Sequence, residues 1–153
     1  LKVRIAALAL AGGFGAAAIM IDHWEGNELT PYQDAVGVWT VCRGHTSTVD
    51  KTRTYTPQEC DALFQSDLGN AFSAIDRHVI VPVSEPVKAA LASFIFNVGE
   101  TQFRNSTLLR KLNAGDTAGA CAELDRWVYA KGRKLSGLVK RRAAERELCE
   151  AGL

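Results

Sequence analysis

Between His23 and His45 the chain reads HWEGNELTPYQDAVGVWTVCRGH, and three residues in this stretch could carry out a hydrolysis. Glu25 and Asp34 are acids separated by eight residues, and Thr40 adds a hydroxyl after five more. Two carboxyls facing one cleft, with a third group that holds water, are what cleavage of a glycosidic bond needs. One acid must be protonated to release the leaving oxygen; the other must be ionised to activate the water. Taken singly, Glu25 would read as a solvated surface acid and Thr40 as an ordinary strand residue. Trp24 and Trp39 could supply apolar surroundings that keep one acid protonated, although core packing is the usual role for each.

These side chains need elements to hold them. A short helical turn after Ile21 is expected to carry Trp24 and Glu25. Pro31 and the Asp34–Gly37 stretch break helix, while Val36, Val38, Trp39, Thr40 and Val41 favour strand, so residues 31–54 are expected to form a small sheet of two or three strands. Thr56-Pro57-Gln58-Glu59 is a helix start, with a Thr cap, Pro at the first position and Glu completing a capping box. Leu63, Phe64, Leu68, Phe72 and Ile75 carry that helix to about His78. Ser84 caps a second helix through Val98, stopped by Gly99 and apolar nearly all round, which suits the centre of a core. Further helices are expected near 106–113, 117–130 and 136–151, with Gly115, Gly132 and Gly152 at their ends and Asp116 capping the middle one.

With those residues in view, the chain resembles the phage-type, T-even-like lysozymes. Their motif is Glu, eight residues, Asp, five residues, Thr, then Gly-His, matched here by Glu25, Asp34, Thr40 and Gly44-His45. The likeness continues through Phe96-Asn97-Val98-Gly99, Phe103, Ser106 to Leu109, Leu112-Asn113, Trp127 and Gly137-Leu138 to Arg141-Arg142, and spans roughly 22–151. It implies an α+β, mainly helical, two-lobe fold: a small β-sheet lobe, a long connecting helix and a larger helical lobe. It also implies a cofactor-free muramidase acting on the β-1,4 bond between N-acetylmuramic acid and N-acetylglucosamine in peptidoglycan, with inversion. Glu25 would be the general acid, Asp34 the base and Thr40 the holder of the water, the carboxyls standing roughly 6.5–9.5 Å apart. His45 would chiefly brace the small lobe through an ion pair. Arg142 would lie across the cleft from the acid, meeting Glu25 or the substrate; Arg141 takes that role if the register slips by one. Asn97 would either bind sugar or cap its helix.

The chain of 153 residues fits one domain with a real core, and its formal net charge of +1 argues against a nucleic-acid binder. Lys131, Arg133, Lys134, Lys140, Arg141, Arg142 and Arg146 crowd one late segment, either a solvated helix face or a lure for an anionic wall polymer. Four cysteines, Cys42, Cys60, Cys121 and Cys149, suit two disulfides in an exported protein. Three connectivities are open, and Cys42 with Cys60 and Cys121 with Cys149 is favoured because each pair is local; buried free thiols are the alternative. His23, His45 and His78 show no zinc-ligand spacing, so no metal is expected.

Ahead of the motif, Lys2 and Arg4 precede an uncharged run, Ile5 to Ile21. As a helix it would measure roughly 25 Å, just short of a hydrocarbon core. Basic residues before it would stay cytoplasmic and send the rest outward. A cleaved signal peptide, a permanent anchor, a segment that enters the membrane and later leaves, and a buried helix of a soluble protein all remain open. The run is mostly Ala and Gly, which gain little from lipid, and Gly12, Gly13 and Gly15 weaken helix. In this it resembles the signal-anchor-release endolysins, a resemblance that implies tethering at the host inner membrane, facing the periplasm, and later release as an active soluble enzyme. On this reading residues 1–21 form the anchor and 22–153 the catalytic domain, which would work as a monomer. Glu25 lies four residues beyond Ile21, roughly 6 Å of helix, so a tethered segment would hold the acid near the bilayer and away from glycan. Leucines at Gly12 and Gly13 should then trap the protein. The rival functions are a lytic transglycosylase, which needs the Glu but no water-activating Asp, and a non-enzymatic wall-binding or membrane-perturbing protein acting through its basic C-terminal segment.

Overall fold

Thr56 opens the helix that joins the two lobes. Its side chain accepts from Glu59 N–H at 3.1 Å while the Glu59 carboxylate takes Thr56 N–H at 2.8 Å, the full capping box expected from the sequence. The computed structural model describes residues 12–153. Its elements in chain order are α1 (Gly13–Glu25), β1 (Glu28–Gln33), β2 (Trp39–Cys42), α2 (Pro57–His78), α3 (Glu85–Val98), α4 (Glu100–Arg104), α5 (Thr107–Asn113), α6 (Thr117–Glu123), a 3-10 turn (Leu124–Arg126), β3 (Tyr129–Ala130), β4 (Arg133–Lys134) and α7 (Ser136–Glu150). This is the lysozyme-like two-lobe fold. A small core of Val41, Cys42, Tyr55 and Cys60 supports the β1–β2 lobe, and a larger one built around α3 fills the helical lobe.

The expected three-stranded option over 31–54 does not form. β1 begins earlier, at Glu28, and pairs antiparallel with β2 (Tyr32 with Thr40, Gln33 with Trp39). Cys42 takes φ 57°, which turns the strand out of the sheet, and after the single bridge from Val41 to His45 the chain runs on in turns. The expected helix over 117–130 is also corrected. It stops at Glu123 because Leu124–Arg126 tighten into a 3-10 turn and Trp127 sets its ring edge against Phe94 at 5.1 Å. Ala130 then pairs with Arg133 around Lys131 and Gly132, whose φ values of 47° and 74° make the two-residue hairpin turn favoured by twisted strands.

Of the expected 1–21 segment, residues 1–11 lie outside the described residues. From Gly13 on, α1 runs unbroken past Ile21 to Glu25 and lies against α3. Ala16, Ala17, Met20 and Ile21 are sealed in the large core. Met20 and Ile21 contribute roughly 2 kcal/mol each. Gly13 N–H donates to Glu85 Oε2 at 2.8 Å, a cap from the neighbouring helix that a side chain at position 13 would obstruct. Arg43 ties α1 to α2, bonding Asp22 at 2.7 Å and Asp61 at 2.8 Å over the Phe64 ring. No helix among the described residues is long and apolar enough to cross a membrane.

Both disulfides take the favoured pairing. Cys42–Cys60 fastens β2 to the start of α2, and Cys121–Cys149 fastens α6 to α7. Closing loops of 18 and 28 residues stabilises the fold by about 3 kcal/mol each on the chain-entropy account.

The far end of α2 is tied to α4, a short helix not anticipated from the sequence. Arg77 bonds both oxygens of Glu100, at 2.9 and 2.8 Å, and His78 Nε2 lies 2.8 Å from Oε1. These partners, Arg77 foremost, lower the Glu100 carboxyl from 4.5 to about 2. A depressed carboxyl stabilises the fold above its unfolded value and loses that contribution as pH falls through the folded one. Melting temperature should therefore drop between about pH 4.5 and 2, and Glu100→Gln should flatten that part of the curve. Parallel melts of the two proteins check this.

Candidate active site

Glu25 is the last residue of α1. Gly26, at φ 66°, stops the helix there and lets the chain turn into β1. One carboxylate oxygen of Glu25 is held by Arg141 Nη1 of α7. The other leans on Gly44, where an added Cβ would come within 2.5 Å of it. Gly44 also sits at φ 75°, so both backbone and neighbour require glycine here. Gly44→Ala should therefore displace the Glu25 carboxyl and, if Glu25 is the acid expected from the sequence, cut hydrolysis about 10-fold or more. Turnover of purified walls, with circular dichroism to confirm folding, measures it.

Asp34 closes β1 into the following turn. Its Oδ1 accepts Val36 N–H at 3.0 Å and Val38 N–H at 2.8 Å, which fixes the carboxylate plane and leaves Oδ2 without a partner among the described residues. Thr40 is buried on β2 and spends its proton on the Val38 carbonyl at 3.0 Å, so its oxygen is left as an acceptor. Tyr32, paired directly with Thr40, shares its face of the sheet. Partial burial, then the charges of Glu25, Glu28 and Asp34, push the Tyr32 phenol upward. A single hydroxyl thus feels both acids while standing opposite the threonine. Tyr32 lies outside the set of candidates that the motif supplies, although its two-residue spacing from Asp34 is a strand-period signal.

The remaining candidates sort by burial. His45 has both ring nitrogens engaged, Nδ1 with Asp67 of α2 and Nε2 with Thr48, each at 2.7 Å. That is a brace between the small lobe and the connecting helix. Arg142 is fully buried, and it bonds Asn97 rather than Glu25. The guanidinium on the acid belongs to Arg141, the alternative one residue earlier. Asn97 is exposed to the cleft, with its Oδ1 taken by Arg142. Trp24 packs against the large core, and Lys51 lies over the Trp39 ring; neither forms the contacts described for Glu25.

Beside Asp34 opens a cleft of about 400 Å³, lined by Asn97, Gln102, Trp127, Tyr129 and Leu138. Lys131, at the tip of the β3–β4 hairpin, donates to the Val36 carbonyl and so reaches the small lobe from the large one. A second hollow of about 180 Å³ adjoins Gly44 and His45, and Phe96 and Glu100 line its other wall. No cluster of metal-ligating side chains occurs among the described residues.

Asn97 of α3 and Asp34 on the sheet turn line the cleft of about 400 Å³, and Glu25 ends α1 between Arg141 and Gly44. Residues 22–145 match the family model described as phage lysozyme. The chain belongs to the phage lysozyme family. Family membership makes it a glycosidase of the lysozyme class. The SAR-endolysin of Enterobacteria phage P21 is 44% identical over 97% of this chain and 94% of its own length. That of Escherichia phage Mu is 48% identical over 95% and 88%. Among solved structures, the muramidase domain of SpmX from Asticaccaulis excentricus superposes with a TM-score of 0.77 at 31% identity, covering 87% of this chain and 93% of that one.

Proposed function

We propose that this phage lysozyme is an endolysin that hydrolyses the β-1,4 bond between N-acetylmuramic acid and N-acetylglucosamine in peptidoglycan, lysing the host. The observation that carries it is the match of residues 22–145 to the phage lysozyme family, with Glu25 held by Arg141 at the end of α1 and Asp34 lining the cleft beside Asn97. Glu25 gives its proton to the bridging oxygen as the C1–O bond breaks. Water, donating one hydrogen to Thr40 Oγ1 and losing the other to Asp34 Oδ2, attacks C1 from the opposite face. A new C1–OH bond forms, and the β configuration inverts to α. Kinship with the T-even branch in particular rests on the Glu25–Asp34–Thr40 spacing and the matches that follow it as far as Arg141-Arg142.

Residues 1–21 would export the chain and hold it at the host inner membrane before release into the periplasm. The names of the P21 and Mu relatives support this, as does the small-residue composition of the run. The α1 helix seated in the core, with Glu25 at its end, is the arrangement expected of the released form.

Product analysis of purified walls tests the chemistry. Hydrolysis should leave reducing muramic ends, first as the α anomer by proton resonance. Ends of 1,6-anhydro type would replace the reading with a lytic transglycosylase.

A further inference from the structure

The buried side of α7 holds charges that the hydrolysis scheme does not use. Glu145 has no exposed surface. Its Oε1 accepts from Ser93 Oγ at 2.6 Å and from Arg141 Nε at 3.1 Å, and its Oε2 stands 3.0 Å from Arg142 Nη1. Arg141 continues to Glu25 through Nη1 and to the Ser93 carbonyl through Nη2 at 3.0 Å. Arg142 continues to Asn97 through Nη2, its guanidinium 5.1 Å above the Phe94 ring. Burying a carboxylate between two arginines is no efficient way to stabilise a core, because the desolvation of three charges offsets most of their attraction. Such a group earns a separate explanation. Arg141 has its Nε bonded by Glu145 and its Nη1 on Glu25, while Arg142 Nη1 faces Glu145 Oε2 as a charge pair without a hydrogen bond and Nη2 bonds Asn97. A guanidinium is planar and rigid, so fixing one edge aims the other.

We propose that Glu145 is a positioning residue of the hydrolysis. Through Arg141 it sets the Glu25 carboxyl, and through Arg142 it sets the Asn97 amide, holding the acid and the cleft floor in one register. Ser93 completes the device from α3, against which α7 packs. The inference rests on Glu25 being the acid.

The test is a double-mutant cycle on the full chain, with kcat and KM measured on solubilised glycan strands. Glu145→Gln keeps the volume and removes the charge. Its kcat should fall about 30-fold with KM nearly unchanged, the pattern of a misaimed catalytic group. In an Arg141→Met background the same change should cost less than about 2-fold more, since residues acting through one another are non-additive. Glu145→Asp, which keeps the charge on a shorter stem, should recover part of the kcat. If Glu145→Gln does not fold, Ser93→Ala, which deletes the 2.6 Å bond to Glu145 and the 3.5 Å one from Arg141 Nη2, should still lower kcat about 5-fold. Full additivity of Glu145→Gln and Arg141→Met, or an unchanged kcat in folded Glu145→Gln or Ser93→Ala, overturns the proposal. Retained activity in Glu25→Gln is a different result and overturns the assignment of the acid instead.

Discussion

Glu25→Gln should lower kcat on purified walls by about 1,000-fold or more, the upper range for loss of a general acid. The substitution is a clean one here. The amide oxygen of Gln can still accept from Arg141 Nη1, and the side chain still fits over Gly44. What disappears is the proton for the leaving sugar oxygen. Asp34→Asn should be nearly as severe for the matching reason. The Asn oxygen still accepts from Val36 and Val38 N–H, so the turn survives, but nothing takes the proton from water. Thr40→Ala removes the acceptor that orients that water, together with its bond to the Val38 carbonyl, and should cost about 10-fold. Release of reducing ends, read with thermal melts of each variant, checks the ranking. A chain whose Asp34→Asn form stays active and leaves anhydro ends would be a transglycosylase. Lysis undiminished in Glu25→Gln would favour a membrane-perturbing or wall-binding protein.

The elements that positioned these acids were legible where local chemistry decides them. The Thr56 capping box and the Ser84 cap, which accepts from Val87 N–H, mark their helix starts unambiguously, and α2 and α3 end where His78 and Gly99 suggested. The disulfide pairing followed from proximity in sequence. Tertiary packing decided the rest. Arg141 and Arg142 are neighbours about 100° apart around α7, and nothing local says which one faces Glu25. Glu145, three and four residues on from them, reads in sequence as an ordinary surface ion-pair pattern, yet all three side chains are buried. The β3–β4 hairpin was hidden because residues up to Ala130 keep helical character, while the turn depends on Lys131 adopting a positive φ that lysine rarely takes. Nor did the three glycines before Ile21 break α1. Two of them are helical, and Gly13 is needed for the close approach of Glu85.

That last contact reshapes the test of membrane release. Leucines at Gly12 and Gly13 would give an ambiguous result, because a Cβ on residue 13 meets Glu85 Oε2 at 2.5 Å and its carbonyl oxygen at 3.1 Å. Such a chain would fail to lyse whether it stayed in lipid or simply could not seat α1. Gly12 and Gly15 meet nothing within 4 Å, and the outer face of α1 already exposes Phe14 and Ile19. Leucines at these two positions leave the seated helix undisturbed. Position 15 is helical when seated and would be helical in lipid, so helix propensity cancels there, and the difference that remains is transfer of two leucine side chains from water to hydrocarbon. At roughly 2 kcal/mol each, the equilibrium should move about 1,000-fold toward the tethered form. Gly12→Leu/Gly15→Leu should therefore stay in the membrane pellet after depolarisation and delay lysis, whereas Gly12→Ser/Gly15→Ser should behave as the parent. The purified leucine variant, freed in detergent, should still hydrolyse walls, since Glu25, Arg141 and Gly44 are untouched. Soluble recovery and prompt lysis equal to the parent would mean that escape from lipid is not what restrains this enzyme.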